Sequence, residues 1–140
     1  MEIRMFSLVL LLVMCSALLL EAQSWKDFKN KHILGTMTES NCTNVMNEKK
    51  LPGIGPYNSS CKERNTFIKA TDKLVQNVCT GAGKPVGGNI YVSNFPFSVV
   101  TCKGNPNQTY PNCDYKGKEY MINITIGCKN NLPVHYHIVD

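Results

Sequence analysis

The run Cys61-Lys62-Glu63-Arg64-Asn65-Thr66-Phe67 sets a bridgeable cysteine, a cation and hydrogen-bonding side chains on one short stretch. If Cys61 is bridged, Lys62 is held on a stiff backbone, and a fixed ammonium is useful where negative charge builds up during a reaction. By itself a lysine beside a cysteine is most often a solvated surface charge. Two histidines distant in sequence, His32 and His135, shift that balance, because imidazoles titrate near neutrality and can move protons.

The elements that must position these groups can be read in order. Ser24 can cap a helix that has Asp27 in its first turn and Gly35 at its end, which predicts a short amphipathic helix over residues 25–34. Phe28 and His32 then share a face, so an aromatic anchored in the core places His32 at the core's edge. Further helices are expected at residues 44–50, stopped by Pro52-Gly53, and at 72–78, capped by Thr71 and stopped by Gly81. Thr66-Phe67-Ile68 has the β-branched and aromatic content of a strand. Residues 90–92, 97–101, 120–126 and 134–139 are short β-rich runs separated by turns such as Gly104-Asn105-Pro106-Asn107. Helices first and strands later predict an α+β domain. The glycine-rich stretch 81–88 lacks the Lys-Ser/Thr ending of a phosphate loop and opens no helix.

The chain has 140 residues and no Pro/Gly/Ser-rich linker, which fits one domain. Arg4 precedes an apolar run over residues 6–20, shorter than the roughly 20 residues needed to span a bilayer. Residues 1–22 therefore read as a secretory signal peptide cleaved after Ala22, leaving residues 23–140 as the domain. The mature part carries 14 basic and 8 acidic residues, a net charge of +6 that favours acidic partners: RNA, glycosaminoglycans or anionic membrane surfaces. Six cysteines remain in it, an even count that predicts three disulfides and leaves their pairing open. No Cys-x-x-Cys spacing occurs and no histidine clusters with cysteines, so a zinc site is disfavoured. Asn41, Asn58, Asn107 and Asn123 head Asn-x-Ser/Thr sequons and are candidate glycosylation sites; Asn123 lies in a strand-like run and qualifies only if it faces solvent.

Four motifs in order, Phe28-x-x-x-His32, Cys61-Lys62-x-x-Asn65-Thr66-Phe67, Tyr110-Pro111-Asn112-Cys113 with Tyr115 beyond, and Pro133-Val134-His135-Tyr136, resemble those of the pancreatic ribonuclease (ribonuclease A) superfamily. The resemblance covers essentially the whole mature chain. It implies three short helices with a long, bent antiparallel β-sheet, and the pairing Cys42 with Cys102, Cys61 with Cys113 and Cys79 with Cys128. It also implies a secreted, monomeric endoribonuclease without cofactor, which cleaves RNA to a 2′,3′-cyclic phosphate and then hydrolyses it.

In that family the matching residues make His32 the base, His135 the acid and Lys62 the charge stabiliser. Thr66 would read a pyrimidine with Tyr136 packing near it, and Lys31 and Asn65 would complete the substrate site. No cysteine occurs between Thr80 and Thr101, where the pancreatic enzymes carry a fourth disulfide, which is more like the angiogenin-type branch and ribonucleases of non-mammalian vertebrates. Lys31 stands where the family has glutamine and His137 where it has aspartate, which predicts reduced turnover. Two other readings compete: a cationic antimicrobial protein acting on bacterial surfaces independently of catalysis, and an angiogenin-like growth factor. A ribonuclease inhibitor or a cell-surface receptor would be the protein partners.

Overall fold

The computed structural model describes residues 2–51 and 60–138, apart from the side chains of residues 2–6 and 17–23. Helix α1 spans Glu2–His32. After a 3₁₀ turn at Glu39–Asn41 come α2 (Cys42–Glu48), β1 (Arg64–Ile68) and α3 (Asp72–Gln76), which passes into a second 3₁₀ turn, Asn77–Cys79. Strands β2 (Gly83–Gly87), β3 (Ile90–Ser93), β4 (Phe97–Gly104), β5 (Tyr115–Ile122), β6 (Thr125–Lys129) and β7 (Leu132–His137) complete the α+β fold. The strands form two antiparallel sheets, one ordered β1-β4-β5 and the other β2-β3-β6-β7.

All three helices differ from expectation in their boundaries. Ser24 does not start the helix, because α1 runs through it without a break; the Leu-rich run before it favours helix and has no Gly or Pro to stop it. Leu8 to Met14 are each more than half exposed and pack on no core, which begins only at Trp25 and Phe28. No described helix is long and apolar enough to cross a membrane. Helix α2 ends two residues early because Lys50 takes a left-handed φ of 53°; the expected stop, Pro52-Gly53, lies outside the described residues. Helix α3 ends at Gln76 and is capped as expected, with Thr71 Oγ1 accepting from the Leu74 amide at 3.4 Å.

The run expected as one strand over 120–126 is two. Ser93 of β3 interrupts it: its hydroxyl oxygen accepts from the Ile124 amide at 2.9 Å, and its carbonyl accepts from Asn123 Nδ2 at 2.8 Å. Asn123 is exposed, as are Asn41 and Asn107, but its amide nitrogen is already engaged. Asn58 lies outside the described residues. The glycine-rich stretch supplies β2, unforeseen from its composition. Gly88 (φ 61°) and Asn89 (φ 61°) close its hairpin to β3, and Asn130 (φ 48°) and Asn131 (φ 64°) close that of β6 and β7. Strand β7 begins at Leu132, two residues earlier than expected, and tolerates Pro133 because it is an edge strand.

Strand parity divides the core. Ile68 and Val99, paired across β1 and β4, face one cluster with Phe28, Val75, Val78, Ile124 and Ile126. Phe67 and Val100, the adjacent pair, face a second with Met37, Met46 and Leu51. The bridges pair Cys42 with Cys102, Cys61 with Cys113 and Cys79 with Cys128, as the resemblance implies. Each closes a long loop and contributes about 4 kcal/mol in the chain-entropy view. At Gly117, opposite Cys102, a Cβ would meet the Glu39 carbonyl oxygen at 2.4 Å and Cys42 Sγ at 2.8 Å. Backbone and a bridged sulfur cannot yield, so Gly117→Ala is expected to cost about 1–3 kcal/mol, read as a lowered Tm.

Candidate active site

Three elements meet at one hollow. The C-terminal turn of α1 brings Lys31 and His32, the segment entering β1 brings Lys62, and β7 brings His135 and Tyr136; these line a hollow of about 420 Å³ together with Lys129. The Cys61–Cys113 bridge holds the backbone beside Lys62. The β6–β7 hairpin sets the register that puts His135 opposite Gly127.

His32 is wedged between Phe28, at 5.2 Å between ring centroids, and Tyr136, stacked at 5.4 Å. Its Nδ1–H donates to the Thr66 carbonyl at 2.9 Å. A carbonyl only accepts, so this bond fixes the tautomer and leaves the lone pair of the neutral ring on Nε2. Burial pushes the His32 pKa down to about 4; the Thr66 bond opposes this, and Lys62, Lys31 and His135 add repulsion. The ring is neutral at neutral pH.

Lys62 Nζ donates to Asn65 Oδ1 at 2.9 Å, and Asn65 Nδ2 donates to the Lys31 carbonyl at 2.8 Å. Asn65 is only 1% exposed. Expected at the substrate, it instead has both ends of its amide engaged inside the protein, where it brackets Lys62 against α1. The lysine is held below the usual ammonium range by burial, then by repulsion from Lys31.

His135 is exposed, with no hydrogen-bond partner among the described residues. His137, two residues on along the same face, turns its ring edge toward it at 6.3 Å between centroids, too far for their nitrogens to bond. Gly127 makes room for both: a Cβ there would come within 3.2 Å of His135 Cβ and 3.3 Å of His137 Nε2.

A second hollow, about 470 Å³, adjoins the first across Tyr136 and is lined by Thr66, Thr101, Tyr120, Tyr136 and His137. Thr66 gives its carbonyl to His32, away from β4, so its amide points the same way by strand parity. Tyr136 stays protonated: burial, then Tyr120, pushes its pKa up to about 12 against an opposing hydrogen bond with Thr66.

His32, Lys62, Lys31 and His135 are thus brought together, with Thr66 and Tyr136 between the two hollows. Nothing local in the sequence marks Thr101, Tyr120 and Lys129 as site residues; the register β1-β4-β5 and the β6–β7 turn place them here. The pancreatic ribonuclease family model matches residues 23–137. The chain belongs to the pancreatic ribonuclease family. Among curated relatives, ribonuclease-like 3 of Danio rerio is 35% identical, covering 97% of this chain and 96% of its own length. The angiogenin of Papio hamadryas is 36% identical over 79% of this chain and 75% of the relative. The X-ray structure of zebrafish RNase5 superimposes with a TM-score of 0.77 at 39% identity, covering 84% of this ribonuclease-family chain and 94% of the other.

Proposed function

We propose that this ribonuclease-family protein is a secreted endoribonuclease that cleaves RNA after pyrimidines. The observation that carries the reading is the His32–Thr66 bond, which presents a neutral Nε2 as base in the hollow shared with a buried cation and a second histidine. His32 removes the proton from a 2′-hydroxyl, whose oxygen attacks the adjacent phosphorus. Lys62 stabilises the charge gathering on the phosphoryl oxygens, and His135 protonates the departing 5′-oxygen. A 2′,3′-cyclic phosphate forms; water then opens it with the two histidines exchanging roles. This division of labour calls for no metal or organic cofactor. DNA lacks the internal nucleophile and is not cut.

Thr66 is assigned to the base, through its amide and hydroxyl, with Tyr136 packed against the ring. Lys31 draws substrate phosphate toward the hollow. Secretion follows from the three bridges and the apolar leader, with residues 1–22 removed and 23–140 retained. The test is RNA cleavage by wild type and His135→Ala: the variant is expected to lose activity, and retention of wild-type cleavage would overturn the assignment.

One observation favours a second reading, action on anionic bacterial surfaces. Lys103 and Lys116 stand directly opposite each other across β4 and β5. Like charges so placed repel, and a polyanion would relieve them. Bacterial killing by His135→Ala separates the two: loss of killing with cleavage ties defence to catalysis, and retained killing assigns it to the surface.

His137 predicts modest turnover. A neutral imidazole brings no negative charge to stabilise protonated His135, whereas a carboxylate on the same strand face would. His137→Asp is expected to raise kcat/KM on a pyrimidine dinucleotide by about tenfold, the value of one charge-assisted hydrogen bond at a partly exposed site. A flat or lower result removes His137 from the explanation.

A further inference from the structure

Thr66 shares its hollow with a line of hydroxyls. Its Oγ1 lies 2.9 Å from Oγ1 of Thr101, which lies 2.9 Å from the Tyr120 hydroxyl. Register explains the line: Thr66 pairs with Thr101 across β1 and β4, while Tyr120 of β5 pairs with Val99, two residues from Thr101 on the same face. Tyr136 stands in the same hollow as Thr66. All four side chains line the same hollow.

Each hydroxyl donates once and accepts up to twice, so the line can run in two directions. In one, Tyr120 donates to Thr101 and Thr101 to Thr66, which leaves the Thr66 proton for an acceptor on the base: N3 of cytosine. In the other, Thr66 donates to Thr101 and Thr101 to Tyr120, and the Thr66 oxygen receives a proton from the base: N3–H of uracil. In both, Thr66 gives its one proton and accepts one. The second direction needs an acceptor at its far end, and Tyr120 is that acceptor.

We propose that Tyr120, acting through Thr101, is the positioning residue that lets Thr66 read uracil as well as cytosine. This rests on the assignment of Thr66 to the base. Without the tyrosine hydroxyl, only the cytosine direction leaves no Thr101 proton unpaired, so uridine substrates alone bear the loss.

The test is kcat/KM of wild type and Tyr120→Phe on uridylyl-, cytidylyl- and adenylyl-3′,5′-adenosine. The cytidine-to-uridine ratio is expected to rise about 5- to 10-fold in Tyr120→Phe, almost wholly from the uridine substrate. Thr101→Ser, which keeps the hydroxyl, should hold the wild-type ratio, and Tyr120→Phe should leave the ratio unmoved in a Thr101→Val background. A ratio of rate constants is insensitive to the fraction folded. An unmoved ratio, or an equal fall on both pyrimidines, reduces Tyr120 to packing and overturns the inference while leaving Thr66 in place. Cleavage of the adenosine substrate as fast as the pyrimidines overturns the assignment of Thr66, and the inference with it.

Discussion

His32→Ala is expected to lower kcat/KM on RNA by about 10²- to 10⁴-fold, the usual worth of a positioned general base. The substituted ring is already neutral and tautomer-locked, so its loss removes a working base rather than one awaiting deprotonation. The pH profile carries a second signature. With a pKa of about 4, set mainly by burial, wild type should keep its base active well below neutrality, and the acid limb of kcat/KM should fall near that value. Lys31 is among the cations that lower it, so Lys31→Gln raises the His32 pKa and moves the acid limb to higher pH. An unmoved limb would leave Lys31 a surface lysine. Stability reports the same group. The unfolded chain takes a proton near pH 6.5 that the native ring refuses until about 4. Its contribution is complete above 6.5, and as pH falls from there to 4 roughly 3 kcal/mol of stability is lost. His32→Ala should flatten that part of the stability profile in denaturant titrations, and an unchanged slope would place the acid sensitivity elsewhere.

Local chemistry made much of this legible in advance. Phe28 and His32 share a helix face by spacing alone, and the structure seats them 5.2 Å apart. Thr66-Phe67-Ile68 has strand composition, and its alternation sends Phe67 and Ile68 to different clusters. What local pattern cannot carry is competition from afar. Ser93 splits a run that reads as continuous, because its hydroxyl, 31 residues away, takes the Ile124 amide. Strand β2, Gly-Lys-Pro-Val-Gly, has poor β propensity and is held by its pairing with β3. Asn65 matches a substrate-facing motif position, yet it brackets Lys62 to the end of α1, 34 residues back along the chain. Thr101 and Tyr120 look like ordinary strand residues until the register of three strands sets them beside Thr66.

That bracket leads to the second large effect. Lys62→Ala is expected to lower kcat by about 10²- to 10³-fold with little change in KM, because the ammonium's charge matters most where negative charge is greatest, in the transition state. Its burial strengthens the interaction with that charge and also brings its pKa below the usual range, with Lys31 adding to the shift. The lowered pKa fixes the direction on the alkaline side: Lys62 loses its proton, and the reaction its stabilising charge, at a lower pH than an ordinary surface lysine would. Lys62→Arg, always charged but planar, cannot reproduce the point contact to Asn65 Oδ1 and should restore only part of the rate while removing this alkaline decline. Asn65→Ala keeps the charge but frees it from its bracket, and misplacement on the order of 1 Å costs up to about 10²-fold. If Asn65 acts by holding Lys62, removing both side chains costs little more than removing Lys62 alone. Additive losses in that double-mutant cycle would mean that Asn65 contributes through its other bond, to the Lys31 carbonyl, and that the position of the ammonium is set by burial instead.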